Sequence, residues 1–322
     1  MPYLLIVLLF LTAKSLAAEQ PIELQTGSGT LHGTLSTPAS AGPFPIALII
    51  AGSGPTDRDG NSAMLSGKND GLKMLALALA DAGFAAVRYD KRGVGKSAAA
   101  AVTEADLRFD HYVEDARAWI EQLSKDQRFR GVAVIGHSEG SLIGMIASQG
   151  TRAAAFVSIA GAGEPASATL RRQLRGRFPP ALIERNEAIL KGLEAGELSP
   201  DVPQPLMPLY RPSVQPYLVS WFRYSPTIEI AKLTLPGLIV QGDTDIQVTV
   251  TDAESLQQAC KQCELRIVRG MNHVLKLVLA DPGQQAASYG DPSLPVAPDL
   301  IQSIGAFLAR STKSVGNADP LK

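Results

Sequence analysis

Apolar residues fall along this chain in short continuous runs separated by longer amphipathic stretches. Six runs, at 45–51, 85–90, 132–136, 154–160, 237–242 and 265–268, are almost wholly apolar, and most stop at glycine. Runs this short, bounded in this way, predict strands buried on both faces of a parallel sheet. Helix-period stretches lie between them. Residues 72–82 follow Asp70 as an N-cap and end at Gly83 as a C-cap. Residues 110–123 set Val113, Ala116, Ile120 and Leu123 on one face. Residues 298–309 repeat the pattern near the end of the chain. The alternation predicts an α/β fold, an open and mostly parallel central sheet with helices on both faces.

Two segments break the rhythm. Residues 164–228 hold helix-like pieces at 170–177 and 182–193 and then a path through Pro200, Pro203, Pro205, Pro208, Pro212 and Pro216, with no strand-like run. An insertion of this kind between two sheet strands reads as a helical cap over the strand ends. The predicted organisation is therefore a core of 19–163 and 229–313, a cap or lid of 164–228, and a tail of 314–322. The second segment is the apolar run at 3–13, followed by Lys14 and by small residues at Ser15 and Ala17. It is shorter than the roughly twenty residues a spanning helix needs. It reads as a cleaved signal peptide over 1–18, which makes the protein exported, periplasmic or secreted, with no stable membrane insertion after cleavage.

Composition narrows the class. The chain has 322 residues, 45% hydrophobic and 19% charged, with 30 Lys and Arg against 31 Asp and Glu. The hydrophobic content argues against disorder, and the lack of basic excess against nucleic-acid binding by phosphate neutralisation. Four histidines and two cysteines make a multi-metal protein improbable. Cys260 and Cys263 have CxxC spacing but end a helix-like stretch before a strand. A redox motif would instead open a helix, so a local disulfide or two unreactive thiols is expected.

Candidate chemistry centres on Gly136-His137-Ser138-Glu139-Gly140. This G-x-S-x-G string follows a strand-like run and precedes an apolar helix start, the strand–turn–helix context of a nucleophile elbow. A serine hydroxyl needs a base, and His273 is the one histidine C-terminal to Ser138. His32, His111 and His137 are read as structural. The imidazole in turn needs a carboxylate. Asp245, after the fifth strand-like run, is preferred over Asp243, which is expected to cap the loop. The order Ser138, Asp245, His273 is that of an α/β hydrolase. Two backbone donors are expected to hold an oxyanion, the N–H of Glu139 and that of Ser53 in the loop after the first strand-like run. Arg58, Asp59, Asp90 and Arg92 are expected to pair with one another or with neighbours.

These residues resemble the α/β-hydrolase superfamily, and within it the esterases and serine-aminopeptidase-like hydrolases. The matching pieces are GSGPTDRDGN (52–61), RYDKRGVGKS (88–97), GHSEGS (136–141), LPGLIVQGDTDIQV (235–248) and GMNH (270–273). The sequence departs at Ala51, where relatives often carry His. The resemblance implies a carboxylesterase cleaving small or medium acyl esters through an acyl-enzyme, with a small-molecule ester as partner and no cofactor or metal. An aminopeptidase or amidase, an acyltransferase of the same fold and a non-catalytic hydrolase-fold binding protein are the alternatives. An aminopeptidase would want a cap acid for the substrate's α-amine, and Glu184, Glu187, Glu194, Glu197 and Asp201 are available.

Overall fold

The computed structural model describes residues 17–101 and 103–312. All but Ala17 and Ala18 of the predicted leader, and the whole of the predicted tail, lie outside the described residues. The chain begins with two strands, β1 (Ala18–Thr26) and β2 (Gly29–Thr37), followed by β3 (Phe44–Ile50), α1 (Gly71–Asp81) and β4 (Ala85–Tyr89). Then come α2 (Phe109–Lys125), β5 (Phe129–His137), α3 (Glu139–Ser148) and β6 (Ala153–Ile159). The insertion carries α4 (Ala166–Leu174), α5 (Pro180–Glu194), α6 (Met207–Tyr210), α7 (Gln215–Phe222) and α8 (Pro226–Ala231). The chain returns through β7 (Gly237–Gly242), α9 (Val250–Ala259), β8 (Glu264–Val268), α10 (Pro282–Ser288) and α11 (Pro298–Ser311).

The eight strands form one sheet in the order β1-β2-β4-β3-β5-β6-β7-β8. β1 pairs with β2 and β2 with β4 in antiparallel fashion, and every other pairing is parallel. All six predicted strands are present. The N-terminal pair carried no continuous apolar run, because β1 lies at the sheet edge with most of its residues exposed. β8 also departs from the expectation of burial on both faces. It is the opposite edge, and Arg266 and Ile267 face solvent.

Alternation of side chains divides each apolar run between two cores. Leu48, Ile50, Val132 and Val134 face α2 and α3, where Trp119, Ile120, Leu123 and Ile143 are buried. Ala47, Ile49, Ala133 and Ile135 face the other way, onto Leu75 and Leu79 of α1 and Ile304 and Phe307 of α11. Asp70 occupies the N-cap position of α1, but its side chain does not cap. Its Oδ1 accepts instead from Asn61 Nδ2 at 2.8 Å, and Asn69 Oδ1 takes the N–H of Gly71 at 2.8 Å. The insertion holds no strand and is tied to α2. Phe109 stacks on Trp221 with ring centres 5.9 Å apart, and Asp110 accepts from Arg223 at 2.7 Å and from Tyr224 at 2.5 Å. Cys260 and Cys263 are joined in a buried disulfide between α9 and β8. No described helix is long and apolar enough to cross a membrane.

Candidate active site

The turn between β5 and α3 sets the position of Ser138. Its φ of 56° and ψ of −122° form a conformation that a residue with a side chain adopts only under constraint. The flanking glycines explain how the turn fits. A Cβ on Gly136 would lie 2.2 Å from the carbonyl oxygen of Gly140, and one on Gly140 would lie 2.3 Å from that of Ile50. Both obstacles are backbone and cannot rotate away. The Ser138 N–H is fixed to the Ile159 carbonyl at 2.9 Å. Glu139 opens α3, so its N–H has no acceptor within the helix. Among the described residues neither that N–H nor the N–H of Ser53 makes a hydrogen bond. Ser53, Ser138 and Glu139 line the same cavity.

The loops after β7 and β8 bring Asp245 and His273 together. Asp245 Oδ2 lies 2.8 Å from His273 Nδ1, with the two side chains 1% and 7% exposed. The other carboxylate oxygen accepts from the N–H groups of Gln247 at 2.7 Å and Val248 at 3.0 Å. Burial alone would raise the pKa of Asp245, but the imidazole and these donors outweigh it and the net shift is downward. Asp243 lies apart from the pair and accepts the Gly270 N–H at 2.6 Å, the loop-capping role expected of it.

Ser138 Oγ makes no hydrogen bond among the described residues, to His273 or to any other group. The link between elbow and imidazole is His137. Its Nε2 lies 2.8 Å from the carbonyl oxygen of His273, and the two rings are 5.0 Å apart. Burial, followed by the neighbouring His273, pushes the pKa of His137 down to about 4. His137 is therefore neutral near pH 7, and an Nε2 facing a carbonyl carries the proton. His111 accepts the Arg108 N–H within the cap of α2, and His32 pairs with Glu23 at 3.1 Å. All three histidines read as structural are thus held in structural contacts.

The charged loop residues also pair. Arg58 meets Asp90 at 2.6 Å, Arg88 meets Asp59 at 2.7 Å, and Arg92 meets Asp115 at 2.5 Å. The cavity above Ser138 holds about 340 Å³. Its wall is mainly apolar, with Leu142, Leu170, Leu209, Leu218 and Trp221. Of its acids, Glu164 pairs with Arg172 at 3.1 Å and Glu139 with Lys91 at 2.8 Å. Glu187 and Glu194 are both taken by Arg171, and neither they nor Glu184, Glu197 or Asp201 line the cavity. Sequence reasoning passed over Lys91 and Tyr217, both of which reach the elbow. No local pattern marks a lysine whose partners lie 39 and 48 residues away. No group of potential metal ligands occurs among the described residues.

Comparison with known proteins bears on the fold. Residues 69–191 match the family described as serine aminopeptidase, S33. Esterase EstD of Thermotoga maritima is 28% identical over 227 residues, which cover 70% of this chain and 52% of that protein. The chain thus spans about half the length of that relative. Among solved structures, Est1E of Butyrivibrio proteoclasticus with bound ferulic acid superposes at a TM-score of 0.60 and 17% identity, covering 90% of this chain and 98% of its own. The α/β hydrolase GrgF of a Penicillium species does so at 0.62 and 18%, covering 92% and 99%. Strand order, the strained turn at Ser138 and these likenesses show that the chain adopts the α/β-hydrolase fold.

Proposed function

We propose that the protein is a serine carboxylesterase acting on small or medium acyl esters, with Ser138, Asp245 and His273 as its triad. The observation that carries this reading is the buried contact of 2.8 Å between Asp245 and His273, beside a strained serine under an apolar cavity. His273 Nε2 takes the proton of Ser138 as Oγ bonds to the ester carbonyl carbon. The N–H groups of Ser53 and Glu139 hold the oxyanion. The ester C–O bond then breaks, and the departing alkoxide takes the proton from His273. Water, deprotonated by the same imidazole, attacks the acyl-enzyme, frees the acid and restores Ser138. The hydroxyl and imidazole must first close their contact, as catalytic pairs commonly do when substrate binds.

The matched S33 description raises the aminopeptidase alternative. Against it, Glu164 is the one acid of residues 164–228 that lines the cavity, and the Arg172 guanidinium 3.1 Å away already balances its charge. The apolar leader and the buried Cys260–Cys263 disulfide support export to an oxidising compartment. Initial rates on p-nitrophenyl butyrate and on aminoacyl p-nitroanilides, together with fluorophosphonate labelling, test the reading. Ester turnover and labelling, both lost in Ser138→Ala, are expected. Faster cleavage of the anilides, or ester turnover that survives Ser138→Ala, would overturn it.

A further inference from the structure

Lys91 is buried, and its ammonium is held by three groups. Nζ donates to the carbonyl oxygen of Gly52 at 2.6 Å and to Glu139 Oε2 at 2.8 Å, and it sits 4.7 Å from the ring centre of Tyr112. Both side chains of the Lys91–Glu139 pair are only 1% exposed. The second carboxylate oxygen of Glu139 accepts from the hydroxyl of Tyr217, on cap helix α7. Burial and the nearby carboxylate keep that phenol protonated, so it acts as the donor.

The two residues held by this ammonium are joined to the two proposed oxyanion donors. The Gly52–Ser53 peptide is trans, so its C=O and N–H point in opposite directions. A cation gripping the Gly52 oxygen therefore aims the Ser53 N–H the other way. The same cation holds the side chain of Glu139, whose own N–H is the second donor. We infer that Lys91 is a positioning residue that locks the two halves of the oxyanion hole in register, and that Tyr217 ties this lock to the cap. The inference rests on the esterase reading above.

The test compares wild type with Lys91→Met and with the double variant K91M/E139Q. The double variant leaves no uncompensated buried charge and so guards against misfolding of the single variant. Glutamine at 139 keeps the backbone N–H. Each protein is assayed for kcat and KM on p-nitrophenyl butyrate, for melting temperature, and for inhibition by an alkyl trifluoromethyl ketone, whose serine adduct carries the oxyanion. Both variants are expected to lose kcat by about 100-fold, on the scale of one lost oxyanion donor. KM should stay within about twofold, and ketone affinity should fall in proportion to kcat. Unchanged kcat in a folded variant, or a fall in kcat with ketone affinity preserved, overturns the inference. A purely structural lysine would lower the melting temperature alone. Ser138→Ala serves as the control. If its activity persists, the esterase reading fails; if it is dead while K91M/E139Q is fully active, only the positioning role fails.

Discussion

His137 donates its Nε2 proton to the backbone carbonyl of His273 across 2.8 Å. The residue that enters the elbow thus fixes the loop carrying the proposed base, 136 residues away. Burial, and then the neighbouring His273, keep this ring neutral even though the hydrogen bond to the carbonyl favours the charged form.

The lowered pKa makes stability depend on pH. The folded pKa of His137 is about 4, below its usual 6.5, so on acidification the unfolded chain takes the proton first. Stability from this group is whole above pH 6.5 and is lost as pH falls toward 4. By pH 5 the loss should reach about 2 kcal/mol. Urea unfolding of wild type and His137→Asn at pH 7.5 and pH 5 measures it. The wild type should lose more than the variant, and equal losses would show that His137 does not titrate this way.

Asp245 and Asp243 are two residues apart but meet different partners, His273 and the Gly270 N–H. Asp245→Asn should lower kcat by about 10⁴-fold, because the imidazole loses its orienting carboxylate. Asp243→Asn should cost about 1 kcal/mol of stability and leave kcat within tenfold. Steady-state rates and melting curves of the two variants separate the roles, and a reversed pattern would reassign the triad acid.

Glycine at 140 is demanded by space. A methyl group there meets the carbonyl oxygens of Ile50 at 2.3 Å and Ala51 at 2.7 Å. Gly140→Ala should cost about 3 kcal/mol or more, or prevent soluble expression. Gly192, inside α5, has only Glu197 nearby, at 3.6 Å. Gly192→Ala should stabilise by about 0.5–1 kcal/mol. Thermal unfolding of the pair tests the contrast.

The disulfide closes a very short loop, since its cysteines are separated by three positions. Chain-entropy arguments allow it at most about 2 kcal/mol. The C260S/C263S double variant should melt a few degrees lower and hydrolyse p-nitrophenyl butyrate at the wild-type rate. A large loss of activity in a folded double variant would point to a functional role for the pair.

Six strands were legible because short apolar runs bounded by glycine have few alternatives in a chain of α/β pattern. The β1–β2 hairpin was less legible because an edge strand exposes one side and carries no continuous run. Asp70 looked like a cap by residue type, yet Asn61 and Asn69 compete for the same groups, and only packing of the 52–62 loop settles which bond forms.

From the chain alone, the turn at Ser138 and the order of Ser138, Asp245 and His273 could be read, because turn chemistry is local and chain order is the sequence itself. The fold decided the rest: that Asp245 touches His273, that His137 buttresses the His273 loop, that Asp243 meets the Gly270 N–H, that Glu187 and Glu194 are taken by Arg171, and that Lys91 joins Gly52 to Glu139. The difference is physical. Backbone conformation and turn chemistry are short-range and leave periodic or glycine-marked traces, whereas a buried side chain's partner depends on how distant strands and loops pack together.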